Sequence, residues 1–189
     1  MTTLYEVKTG HTKKVLMAFA KFYNENGKNY RRLMFRYGIS AALFFTLPKA
    51  LKLSGLHAAA CFAAGIFIIA LAFARPYLTY FGMLGRDIYY KYGIKIVMSF
   101  GHSGFTVQDN EKHMYKYHEI EKLYADSEIY YLHMEGGDLY IVPKEDFVQG
   151  SPDDFYKFMQ QSTGKEFGEA HVSLKQKLFR MNAGITDMK

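Results

Sequence analysis

Few side chains in this sequence of 189 residues belong to the types that do chemistry, and their spacing limits what they can do. His113, His118 and His133 fall in neighbouring predicted strands, and three converging imidazoles hold zinc. His113 and His118 have opposite parity, so they point to opposite faces and do not converge. His118 and Glu119 have the types of an acid/base pair. Adjacent strand residues face apart, however, and no serine, cysteine or second carboxylate completes a mechanism. Gly82, Gly85 and Gly93 fit neither GxGxxG nor GxxxxGK, so no phosphate-binding loop is expected. The only cysteine, Cys61, sits in an apolar run, which excludes an intrachain disulfide and a paired-cysteine zinc site. The expectation is a protein with no catalytic residue, no cofactor and no metal.

Charge and aromatic rings remain. The net charge is +6, and residues 1–36 carry eight basic residues against Glu6 and Glu25. This excess adjoins the apolar runs, which favours lipid headgroups and topology over nucleic acid. Aromatic residues make up 17% of the chain, but single-stranded nucleic acid also wants a basic groove, and residues 100–163 hold at least as many carboxylates as lysines. No nucleic-acid partner is expected. The candidate contacts to anionic lipid are Lys13, Lys14, Arg31, Arg32, Arg36, Arg75 and Arg86, residues that serve equally as ordinary topology determinants.

Those residues are positioned by apolar segments. Leu53 to Ala74 runs 22 residues without a formal charge. As a helix it reaches about 33 Å, against roughly 30 Å of hydrocarbon in a bilayer. It is apolar on every face, so it reads as a membrane span, the alternative being the central helix of a soluble protein. A first span is expected over Leu33 to Leu53. Its uncharged part, Tyr37 to Pro48, is only 12 residues, but Arg36, Lys49 and Lys52 lie near the ends where they reach headgroups. Ser54-Gly55 makes the connection short, so the helices form an antiparallel hairpin, with Ala42, Ala58, Ala59, Ala63, Ala64 and Gly65 permitting close contact. Basic residues outnumber Lys49 and Lys52 on the outer flanks, which places both termini in the cytoplasm. No acidic residue lies within either span, and Ser40, Thr46 and His57 are the polar groups a small channel or transport subunit would have to use.

The mean hydropathy of −0.15 requires the rest of the chain to be soluble. The first 30 residues are polar and charged, so no cleavable signal peptide is expected. Leu4–Lys8 reads as a short strand. Thr12 to Asn24 reads as an amphipathic helix with Val15, Leu16, Phe19, Phe22 and Tyr23 on one face. Tyr77 to Tyr92 is tyrosine-rich, as suits a membrane boundary, and breaks near Gly82 and Gly85. From Gly93 the period becomes two. Strands are expected at Ile94–Phe100, Phe105–Gln108, Lys112–His118, Ile129–Met134 and Leu139–Val142, with turns at Asp109-Asn110 and Glu135–Asp138. Ser151-Pro152-Asp153-Asp154 starts a helix whose apolar face holds Phe155, Phe158 and Met159. A polar tail follows from Gly164, where Val172, Leu174, Leu178 and Phe179 among basic residues suggest a further helix.

Ser103-Gly104-Phe105-Thr106-Val107, Tyr117-His118-Glu119-Ile120 and Ile141-Val142-Pro143-Lys144 followed by Phe147 resemble the strand opening, the aromatic-polar-acidic-Ile step and the closing strand of the YcxB-like family of bacterial membrane proteins. Relatives often carry Trp at the aromatic step, where this chain has Tyr117. The resemblance spans about Leu4 to Thr163 and is strongest after Phe100. It implies two transmembrane helices and a cytoplasmic pleckstrin-homology-like roll, and it carries no assigned enzymatic activity over to this chain. The expected fold class is thus an α+β membrane protein: an N-terminal transmembrane helical hairpin, then a small antiparallel β-roll with a C-terminal helix. The expected divisions are 1–32, 33–75, 76–93, 94–163 and 164–189. The expected role is an interaction or regulatory module at the inner membrane, whose partners are the lipid bilayer and a protein or a second copy of the chain.

Overall fold

The computed structural model describes residues 2–27 and 30–171. In chain order the elements are β1 (Thr3–Gly10), α1 (Lys13–Asn26), α2 (Tyr30–Ala50), α3 (Gly55–Leu84), α4 (Ile88–Tyr92), β2 (Lys95–Gly101), β3 (Gly104–Gln108), β4 (Lys112–Tyr115), β5 (Ile120–Ala125), β6 (Ile129–Met134), β7 (Leu139–Pro143), β8 (Phe147–Gln149), α5 (Pro152–Thr163) and β9 (Phe167–Glu169). They form two compact units, one of Met1–Phe19 with Met83–His171, the other centred on Ala20–Gly82. The helix expected around Val172, Leu174, Leu178 and Phe179 lies outside the described residues.

The first unit is an α+β roll of two sheets, ordered β4-β3-β2-β1-β8 and β7-β6-β5-β9. All pairings are antiparallel except β5 with β9. The period-two reading holds along β2, whereas in β3 Thr106 is buried along with Phe105 and Val107. Met98 faces Val107 and Phe100 faces Phe105 across the β2–β3 pair, all four are buried, and the two phenyl rings stack at 5.2 Å. Gly104 is required at this hairpin, because a Cβ there would drive into the Tyr115 carbonyl. α5 lays Phe155 and Met159, both fully buried, onto the core shared by the sheets. Ser151 occupies the N-cap position of α5, but its side chain makes no capping hydrogen bond, so Pro152 at the first turn and the Asp153 and Asp154 carboxylates set the start of the helix.

Some expectations need correction. β4 stops at Tyr115, and His118 stands on a 3-10 turn (Tyr117–Glu119) instead of a strand. β5 follows that turn in a segment the sequence reading left unassigned. The tail expected from Gly164 begins with β9, whose pairing with Leu123–Ala125 carries the chain on to a buried Ala170. The strand at the N-terminus is longer than Leu4–Lys8 and sits inside the five-stranded sheet, between β2 and β8.

The β5–β6 turn is closed by Asp126. One carboxylate oxygen accepts the Glu128 and Ile129 amides at 2.8 Å each, and the other accepts the Tyr131 hydroxyl at 2.9 Å and meets His171 Nε2 at 3.3 Å. Burial pushes the carboxyl up, but the bonds from His171, the Glu128 amide, Tyr131 and the Ile129 amide together outweigh it and hold the pKa at about 2. A carboxyl depressed in the folded state stabilises at every pH above its unfolded pKa. That contribution, of order 2 kcal/mol, is lost as pH falls from about 4 to about 2. Asp126→Asn is therefore expected to lower stability at pH 7 by about 1–2 kcal/mol and to flatten the acid limb between those pH values, as read by denaturant titration at each pH.

In the second unit the chain reverses over residues 51–54, with Lys52 in the left-handed region at φ 51°, and α2 meets α3. The Phe45 ring lies on Gly65 and 6.0 Å from the Phe62 ring. Ala41 is the buried alanine of α2, and Ala42, expected at the contact, is exposed. The C-terminal half of α1 joins this unit: Asn24, buried, donates to the Ala20 carbonyl at 2.8 Å and to the Thr79 hydroxyl at 3.0 Å. A Cβ on Gly65 would stand 2.9–3.2 Å from three Phe45 ring atoms, so Gly65→Leu forces the helices apart. The expected cost is about 1–3 kcal/mol. Gly65→Leu should lower the midpoint of a dodecyl sulfate titration in mild detergent, followed by far-ultraviolet dichroism, and an unchanged midpoint would mean that the contact does not form.

α3 runs 30 residues, through Pro76 and Gly82 to Leu84, ten beyond the uncharged stretch. Among the described residues it is the one helix long and apolar enough to cross a membrane, and only Gly65 in it is buried.

Candidate functional site

The three histidines with metal-binding potential stand on different elements. His113 is exposed on β4, His118 is exposed on the 3-10 turn, and His133 on β6 places Nδ1 3.0 Å from Glu121. Among the described residues no three His, Cys, Asp or Glu side chains cluster so as to hold a metal. Thr46, a candidate for lining a channel, returns its hydroxyl to the Ala42 and Leu43 carbonyls of its own helix, at 3.0 and 3.2 Å.

The seven basic candidates divide between the units. Lys13, Lys14 and Arg86 belong to the first, and Arg31, Arg32, Arg36 and Arg75 to the second. Lys14 is committed internally: its ammonium sits 3.0 Å from Glu145 and 3.1 Å from Glu128, and these two carboxylates raise its pKa, Glu145 foremost. It fastens the first turn of α1 to the roll. Arg32 and Arg36 are exposed one turn apart on α2, and Arg31 is on the same helix, its side chain outside the described part. Arg75 is half-buried on α3. Arg31, Arg32 and Arg36 lie in the first two turns of α2. Lys13 and Arg86 are exposed.

The sequence reading missed how α4 is held. A helix of five residues is too short to be stable alone, and polar bonds on one side of it supply the difference. Asp87 caps it, accepting the Tyr90 amide at 2.7 Å, and the same carboxylate engages His11 Nδ1 at 2.8 and 3.0 Å. The Tyr89 ring lies 4.9 Å from the His11 ring, and its hydroxyl donates to Asp109 at 2.5 Å. That bond raises the Tyr89 pKa and is the foremost cause of a lowered Asp109 pKa. Gly93, at φ 62°, ends the helix by returning its amide to the Tyr89 carbonyl. Each carboxylate in this cluster accepts hydrogen bonds, and through His11 and Asp109 the cluster clamps α4 to the roll. Residues 11, 87 and 109 are far apart in the chain, and only the Asp87 cap carries a local signal.

Charge separates by region. Residues 1–93 hold thirteen Lys and Arg against three carboxylates, whereas residues 94–171 hold seven Lys and no Arg against fourteen carboxylates. The basic surface lies on the helical part of the chain and the roll is acidic.

Residues 100–159 match the family model described as YcxB-like protein. The match runs from the end of β2 to Met159 of α5, and bears out over that segment the resemblance read from Ser103–Val107, Tyr117–Ile120 and Ile141–Lys144. No curated protein and no solved structure matches the chain.

Proposed function

We propose, with the YcxB-like match over the roll as premise, that this chain is a non-enzymatic integral membrane protein: two helices cross the inner membrane and hold the roll, pleckstrin-homology-like in its two sheets and closing helix, at the cytoplasmic face as an interaction module. The observation that carries the reading is the outward display of apolar side chains. On α3, Leu56 is 83% exposed, and Ile66, Phe67 and Phe73 are each above 60%. On α2, Phe35, Ile39, Leu43 and Leu47 recur every fourth residue on one exposed face. A soluble protein does not leave stripes of this size open to water. The acidic roll favours a basic protein partner over the anionic membrane surface.

The test is topology. In a Cys61→Ala background, a membrane-impermeant maleimide should label Ser103→Cys only in inverted vesicles and Ser54→Cys only in intact spheroplasts. Labelling of both positions from the same side would overturn the reading.

A second reading, recognition of anionic lipid, is favoured by Arg31, Arg32 and Arg36, which fall within the first two turns of α2. It requires that replacing Arg32 and Arg36 weaken binding to phosphatidylglycerol vesicles and that salt do the same. Binding that stays unchanged in both experiments counts against it.

A further inference from the structure

We infer that α4 is an interfacial anchor, with Ile88 and Tyr92 seated at the headgroup boundary of the bilayer and Arg86, Lys91 and Lys95 on anionic headgroup phosphates. This rests on the membrane reading above.

The two sides of α4 differ in kind. Tyr89 and Tyr90 are half-buried, the Tyr89 side chain held to Asp109 and the Tyr90 amide to the Asp87 cap. Ile88, Lys91 and Tyr92 span the opposite 100° of the helix, by its ~100° per residue, and all three are exposed. Ile88 is 59% and Tyr92 79% exposed, in a unit whose other exposed large apolar side chains are Met114 and Val148, on separate strands. One helical turn therefore carries two of the four. Arg86, Lys91 and Lys95 are exposed around it, and none of the three makes an ion pair among the described residues, whereas Lys8, Lys14 and Lys122 all do.

The occupant follows from position and charge. Three residues separate Leu84, the end of α3, from Ile88, so the chain keeps α4 within about 14 Å of the end of the membrane-crossing helix. Tyrosine beside lysine and arginine is the composition of the layer where an apolar ring and a cation both find partners. The acidic roll is repelled by anionic lipid, so a basic anchor is what allows it to be held close. The clamp of His11, Asp87, Tyr89 and Asp109 then fixes the orientation of the roll on α4.

The test uses the full chain in a Cys61→Ala background, reconstituted in phosphatidylcholine vesicles with or without phosphatidylglycerol. Nitroxide labels are placed at Tyr92→Cys and, since that replaces one anchor, separately at Ile88→Cys. Met114→Cys is the aqueous reference and Ile66→Cys the hydrocarbon reference. The labels at 88 and 92 are expected to collide several-fold more with oxygen, relative to a water-soluble nickel complex, than the label at 114. Phosphatidylglycerol should increase the difference, and Arg86→Glu with Lys91→Glu and Lys95→Glu should abolish it. Nickel accessibility at 88 and 92 equal to that at 114 would overturn the inference, as would exclusion of both reagents, the sign of a protein contact. If position 66 is itself open to nickel, the membrane reading fails. If position 66 is immersed while 88 and 92 stay aqueous, only the anchor fails.

Discussion

Phe155→Ala is expected to lower the melting temperature of the roll by more than about 10 °C, followed by near-ultraviolet tyrosine dichroism of the full chain in detergent. Phe155 has no exposed surface, and its ring meets Phe100 at 4.8 Å, Phe147 at 5.1 Å, Tyr5 at 5.4 Å and Tyr130 at 5.5 Å. Three of these come from β1, β2 and β8 of one sheet and the fourth from β6 of the other, so a single side chain bridges the two. Truncation removes the buried ring and leaves a cavity that aromatic neighbours cannot collapse to fill, a loss of about 3–5 kcal/mol. At roughly 4–8 °C per kcal/mol for a unit of this size, the shift exceeds ordinary variation among surface mutants. Lys157→Ala, exposed on the same helix, is the control and should change stability by less than about 0.5 kcal/mol. A Phe155→Ala protein that melts with the control would mean that α5 does not close the roll.

Ile66→Arg is expected to remove most of the protein from carbonate-washed membranes. Ile66 is 61% exposed near the middle of the uncharged stretch of α3, facing away from Phe45 although the next residue, Gly65, is packed against it. In a bilayer an arginine at that depth costs about 2.5–3.5 kcal/mol, with the favourable isoleucine term lost as well, enough for a shift of about 100-fold in the insertion equilibrium. In water the sign differs. An exposed isoleucine exchanged for arginine would be nearly neutral and would raise solubility. The substitution therefore separates a membrane span from a soluble helix by direction as well as size. Unchanged membrane retention would overturn the membrane reading at its main support.

What the chain settles locally was legible. The uncharged run from Leu53 to Ala74 predicts the helix that the chain forms from Gly55 on, and the alternation of Met98 and Phe100 marks the core side of β2, because each signal repeats with the period of its own backbone. The aromatic and proline steps around Tyr117 and Pro143 suggested the resemblance that the family model then matched over residues 100–159. The reading failed where a residue's role depends on a partner distant in sequence. β1 lies between β2 and β8 through pairings that cross most of the chain, and nothing in Leu4–Lys8 encodes which strand it will meet. Lys14 was indistinguishable from Lys13 until Glu128 and Glu145 were brought beside it. The tyrosines of 89–92 looked alike as a boundary layer, yet Tyr89 is turned inward by Asp109 and Tyr92 left outward. Periodicity reports the geometry of one segment, so the sequence alone determined the elements that repeat clearly, such as β2, α3 and α5, and not β5 or β9. Which carboxylate neutralises which cation, and which side of a short helix is left free, depends on the closure of long loops, and only the tertiary structure decided it.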